Sequence, residues 1–142
     1  MEQSGDRNEE LDTRRLRALS RAVLLYREQV PSSSVLQLYT FLVLASQDKP
    51  IGLTDLARAV GTGKPVISAA VENLGGFGRG PAGKDSSPPN LVHCKDHPSD
   101  RRSKLAELTP KGAALAAKLC AILGGGAALT EEGRAVARKR LR

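Results

Sequence analysis

The chain is nearly without aromatic residues: two Tyr, two Phe and no Trp among 142 residues. Sheet-on-sheet folds draw much of their core from aromatic and β-branched cross-strand pairs. An interior left to Leu, Val and Ala therefore points to packed helices with at most a small sheet. No stretch approaches the roughly 18 consecutive apolar residues of a membrane-spanning helix. The opening MEQSGDRNEE also lacks the basic start and apolar centre of a secretory signal. A cytoplasmic protein with no membrane partner is expected. Cysteine is confined to Cys94 and Cys120, which fall in different predicted elements, so free thiols are expected rather than a bridge. Histidine is confined to His93 and His97. With no Ser-His-Asp set and no paired-carboxylate constellation, an enzyme is not expected.

What the chain has in excess is positive charge: Lys and Arg outnumber Asp and Glu, for a formal net charge of +7. That balance attracts polyanions but does not separate nucleic acid from an anionic membrane, so the positions of the charges must decide. The length suits a single domain spanning 1–142.

Along the chain, residues 1 to about 8 are polar and expected to fray. Leu16, Leu19, Val23, Tyr26 and Val30 then recur at steps of three and four, which predicts an amphipathic helix over 8–30 that ends at Pro31. Its other face mixes Arg14, Arg17, Arg21 and Arg27 with acids, as a solvated or intersubunit face does. Ser32, Ser33 or Ser34 can cap a second helix to about Gln47, apolar nearly all round and so expected to be buried. A short strand from Ile51, a helix capped by Thr54, a turn at Gly61 and a helix over 64–74 follow. In the last of these Ile67, Ala70, Val71 and Leu74 share one face, leaving Pro65, Ser68, Ala69 and Glu72 opposite, with Val66 and Asn73 flanking. Residues 75–90, rich in Gly and Pro, read as a flexible loop. The segment NLVHCKDHPSDRRSKLAELT, residues 90–109, has two strand-like runs about a turn-prone tip carrying Arg101 and Arg102. Thr109 and Pro110 open an apolar helix containing Leu115, Leu119, Ile122 and Leu123, and a short basic helix ends the chain.

A helix-turn-helix followed by a basic β-hairpin is the order of a winged-helix DNA reader. The segments LTDLARAVGTGKPVISAAVENL and LVHCKDHPSDRRSKLAELTPKG resemble the multiple antibiotic resistance regulator (MarR) family of bacterial winged-helix repressors. The second carries a hydrophobic strand, an Asp-x-Pro-like turn, Asp100-Arg101-Arg102, a further strand and Leu108-Thr109-x-x-Gly112 in one order. The resemblance implies a mainly α fold with a small β-wing, in which a winged helix-turn-helix lobe over 32–109 is flanked by dimerisation helices over 8–30 and 110–142. It also implies a homodimer that binds a pseudo-palindromic operator on double-stranded DNA, associated with the nucleoid and acting as a repressor. The helix over 64–74 would read the major groove through Lys64, Pro65, Val66, Ser68, Ala69 and Asn73. Arg102 would enter the minor groove, oriented by Asp100, with Arg101 and Lys104 near phosphates. Dimerisation would use Leu16, Leu19, Val23, Leu119 and Leu123. Relatives often take a small aromatic effector, which the resemblance extends to this chain without naming residues.

The chain departs from the family where many relatives carry polar or basic residues on the reading helix. Here Pro65, Val66, Ala69 and Glu72 leave little for base-edge hydrogen bonding, although Val66 can meet a thymine methyl and Lys64 a phosphate. An adaptor reading therefore stands beside the regulator: a winged-helix dimer that uses its apolar helix face and long loop to bind protein without specific operator binding. Gly78 and Gly83-Lys84 match the spacing of a phosphate-cradling loop, but Asp85 stands where a hydroxyl should reach magnesium, so no nucleotide cofactor is expected. His93, Cys94, Asp96 and His97 include metal-ligating types, yet His93 and Cys94 point to opposite faces of a strand and no second cluster exists, so no metal is expected. Cys94 or Cys120 could serve an oxidant sensor, against Cys120 as plain core.

Overall fold

The first helix ends where proline removes a donor. In the computed structural model, which describes residues 2–75 and 88–124, α1 (Glu2–Gln29) closes with Val30 N–H donating to the Tyr26 carbonyl, immediately before Pro31. Helix α2 (Val35–Ala45) starts behind Ser34, whose Oγ accepts from the Gln37 amide at 3.2 Å. The Tyr26 hydroxyl bonds Ser33 Oγ at 2.7 Å and the Tyr26 and Phe41 rings sit 5.6 Å apart, so the turn between the helices is held from both sides. The chain then runs β1 (Ile51–Gly52), α3 (Leu53–Val60), α4 (Lys64–Gly75), β2 (Val92–His97), β3 (Asp100–Leu108) and α5 (Pro110–Gly124). The antiparallel sheet has the order β1-β3-β2, with Ile51 opposite Ala106 and Cys94 opposite Ala106 from the other side.

One core joins these elements. Phe41, Leu56, Ile67, Val71, Leu74, Leu91, Val92 and Ala106 are shut from solvent, with Leu115, Ala116 and Leu119 of α5 and Ala22, Tyr26 and Val30 of α1 packed around them. The junction of wing and last helix is tightest. Leu91 N–H donates to the Leu74 carbonyl at the end of α4, and the Leu91 carbonyl accepts from Thr109 N–H. Thr109 Oγ1 donates to the Asn90 carbonyl at 2.6 Å and accepts from Gly112 N–H at 3.0 Å, capping α5 as its sequence suggested. Gly112 lies so close that a Cβ there would stand 2.1 Å from the Leu91 oxygen. The Leu-Thr-x-x-Gly pattern thus has a packing cause: only hydrogen at Gly112 lets α5 rest on the start of the wing.

Four expectations need correction. Helix α1 starts at Glu2 rather than near residue 8, because apolar periodicity cannot mark the start of a helix segment that has no apolar face. Thr54 does not cap α3: the N-cap is Gly52, with no side-chain cap bond, since the chain passes straight from its pairing with Leu105 into the helix. Helix α2 is not buried all round. Thr40, Phe41, Leu44 and Ala45 face the core, while Val35 (83% exposed), Tyr39 and Leu42 line the opposite side. Cys120 is exposed rather than core; both cysteines are free thiols. Residues 76–87 of the expected loop and residues 125–142, including the basic tail, lie outside the described residues.

Candidate nucleic-acid interface

The turn between α3 and α4 is built on Gly61, which adopts φ +87° and ψ +35° and donates its N–H to the Ala57 carbonyl at 2.8 Å. A side chain would strain that left-handed position. The turn launches α4 with Lys64 and Pro65 in its first turn, where the missing proline donor costs nothing. Ile67, Ala70, Val71 and Leu74 go into the core, as their spacing predicted. Lys64, Pro65, Val66, Ala69, Glu72 and Asn73 are exposed, and Ser68 is half-buried at the edge of that face. The helix therefore offers solvent the face that its spacing left over, Lys64, Pro65, Val66 and Ala69 first and Glu72 and Asn73 after them.

The wing turns at Pro98 and Ser99, with Ser99 N–H donating to His97 Nδ1 at 3.1 Å and a register shift between Asp96 and His97. Because the turn closes there, Asp100, Arg101 and Arg102 occupy the first three positions of β3 rather than the turn itself. Their side chains, and the roles expected of them, lie outside the described residues. Lys104 is exposed but bonds Asp96 across the strands. His93 Nε2 and Lys95 Nζ meet the same Glu107 carboxylate at 2.8 and 3.4 Å on the other face. Much of the wing's described charge is thus matched in cross-strand pairs that sequence spacing alone did not reveal. Such exposed pairs are worth about 0–1 kcal/mol and exchange readily for another anion. Lys64 has no ion pair among the described residues.

Cys94 lies half-buried on the wing face that carries Lys104. Burial pushes its thiol up, Lys104 pulls it down and Glu72 adds to the rise, which favours the protonated, poorly nucleophilic form at neutral pH. Among the described residues, no three His, Cys, Asp or Glu side chains gather as a metal site would require, and no helix is long and apolar enough to cross a membrane.

The residues expected at a dimer interface divide. Leu16, Leu19 and Val23 of α1 stand exposed, as does Leu123 of α5 (52%). Leu119, 4% exposed, is instead part of the core beneath α5. One helical turn separates it from Leu123, and the core takes the first and not the second. Leu11 and Leu24 join the exposed α1 set, and Val35, Tyr39 and Leu42 form a further strip. The strip's i, i+4, i+7 spacing was visible but submerged in the uniform apolarity of α2.

No family model matches the chain, and no curated protein matches it. Solved structures do match over nearly its whole length. The M. tuberculosis protein RV1404 is similar with a TM-score of 0.61 and 19% identity, covering 94% of this chain and 86% of that one. YusO from B. subtilis has a TM-score of 0.58 and 16% identity over 96% and 90% of the two chains. S. aureus MepR, in a complex with DNA, has a TM-score of 0.55 and 19% identity over 99% and 97%. Helix order, small antiparallel sheet and these likenesses agree: the chain has the winged helix-turn-helix fold of the MarR-type regulators that its wing and helix entry resembled.

Proposed function

We propose that the protein is a homodimeric, sequence-specific DNA-binding regulator of transcription that represses by occupying a pseudo-palindromic operator. The observation that carries this reading is the uncovered face of α4 beside a wing whose first β3 positions are Asp100, Arg101 and Arg102, in a fold that MepR uses in a complex with DNA. Lys64 at the start of α4 suits a phosphate. Arg102, oriented by Asp100, takes the minor groove, where narrow walls concentrate negative potential and a weakly hydrated guanidinium enters at low cost. Arg101 and Lys104 hold the flanking backbone, Lys104 exchanging Asp96 for phosphate. Leu16, Leu19, Val23 and Leu123 bring two protomers together, so that two α4 helices face successive major grooves. The protein works in the cytoplasm on the nucleoid, without catalysis, and responds to a small aromatic effector.

The test is fluorescence anisotropy on fragments selected from genomic DNA, at several salt concentrations. Arg102→Ala should cost more than Arg101→Ala, and about 1–3 kcal/mol more on the selected operator than on random DNA. Equal losses on both DNAs would remove the minor-groove role. The exposed strip of Val35, Tyr39 and Leu42 favours a second reading, the protein-binding adaptor. A salt-dependent shift with a preferred fragment decides for the regulator, and its absence decides for the adaptor.

A further inference from the structure

We infer that the first half of α4 reads pyrimidine C5-methyl groups in the major groove by apolar contact, rather than base edges by hydrogen bonds; this rests on the DNA-binding reading above. Val66, 44% exposed, is the one large hydrophobic side chain that α4 leaves in water, while Ile67, Val71 and Leu74 are 0–1% exposed in the core. The helix therefore buries its apolar residues well, and Val66 stays out because its helical angle turns it away from them. At 100° per residue, Pro65 and Ala69 lie at the centre of the outward face with Val66 beside them, and all three are exposed. Together they make an apolar strip over the first turn and a half, the part of a recognition helix that reaches base edges.

None of the three carries a polar side-chain atom. The polar groups of the same face come at its margin or later: Ser68 is half-buried, and Glu72 and Asn73 lie one to two turns further on. Glu72 can accept only from a base amine and repels phosphate, and Lys64, the one charged donor of the leading turn, is taken by phosphate in the reading above, so no side chain is left there for the bidentate pairings that distinguish guanine or adenine. The feature that an apolar strip can tell apart is a methyl group. Thymine presents one in the major groove, and cytosine presents only a ring hydrogen at the same carbon. A C5-methylated cytosine would satisfy the strip as thymine does.

Burying one methyl-sized group corresponds to about a fourfold change in affinity. Changing the symmetric position in a second half-site should compound this to roughly fifteenfold. The experiment replaces single thymines of the selected operator by deoxyuridine, which removes the methyl and leaves base pairing intact, and measures anisotropy with the native chain and with Val66→Ala. The expected result is about a fourfold loss at one or two thymines per half-site with the native chain, little or no loss at those positions with Val66→Ala, and recovery of binding when 5-methylcytosine replaces cytosine there in a C·G variant. Specific binding that ignores every uridine, or a uridine effect that survives in Val66→Ala, overturns the inference and leaves the regulator reading intact. Failure to prefer any fragment over random DNA overturns both.

Discussion

Replacing Gly112 by alanine sets helix propensity against packing, with opposite signs. In an unobstructed helix the change stabilises by about 0.5–1 kcal/mol, because alanine has less backbone freedom to lose on folding. At Gly112 the new Cβ would meet the Leu91 oxygen at 2.1 Å, its carbonyl carbon at 3.0 Å and its Cα at 3.3 Å. These are backbone atoms. Leu91 is fully buried, donates to the Leu74 carbonyl and accepts from Thr109 N–H, so it cannot retreat without giving up a ladder-like bond on one side. Helix α5 must instead lift by roughly 1 Å, loosening Leu115 and Leu119. Overpacking costs about 1–3 kcal/mol and a weakened backbone bond about 1 kcal/mol. After subtracting alanine's gain, the net loss should be about 1–3 kcal/mol. Urea unfolding followed by circular dichroism, at fixed protomer concentration, reads this directly: with a slope of about 1–3 kcal/mol per molar, a loss of about 2 kcal/mol lowers the midpoint by roughly 1 M. Gly5, with nothing within 4 Å of its would-be Cβ, is the control, and Gly5→Ala should be neutral or slightly stabilising. A Gly112→Ala midpoint at or above that of the parent would refute the close approach of α5 to the wing.

Burial raises the Tyr26 phenol above its ordinary 10.0, with the Ser33 bond pulling the other way. Below pH 10.0 folded and unfolded chains both keep the proton; above it the unfolded chain releases it first, so stability falls with rising pH until the folded phenol ionises. Tyr26→Phe should flatten that alkaline limb of the denaturation profile, and an unchanged limb would contradict the assignment. Asp96→Asn should ease the move of Lys104 to phosphate and raise DNA affinity a few-fold, while Lys104→Ala should lower the salt slope by about one unit; an unchanged slope in Lys104→Ala would remove Lys104 from the interface. Replacing Leu19 and Val23 together by Glu should give monomers or aggregates by light scattering, and an unchanged dimer would move the interface elsewhere.

Features governed by neighbours a few residues away were legible in the sequence. Pro31 stops α1, Ser34 caps α2, Gly61 takes the left-handed turn, and the three-and-four spacing of Ile67, Ala70, Val71 and Leu74 names the buried face of α4. The outward face of α4, where the candidate interface begins, follows from the same period by subtraction. Long-range placement was not legible, because periodicity says that a face is apolar without saying what covers it. Leu119 and Leu123 are alike to a local rule, yet the core takes one and leaves the other exposed. Val35, Tyr39 and Leu42 belong to a helix apolar on every side, of which the core takes only one. Thr54 has cap chemistry but loses the position to Gly52 once β1 pairs with β3. The pairing of Lys104 with Asp96 depends on the register of two strands, and the need for glycine at position 112 on a backbone carbonyl 21 residues earlier. Local stereochemistry thus determined where most elements run and which face α4 hides, while the docking of the helices and the wing decided which of the remaining apolar and charged residues stay exposed.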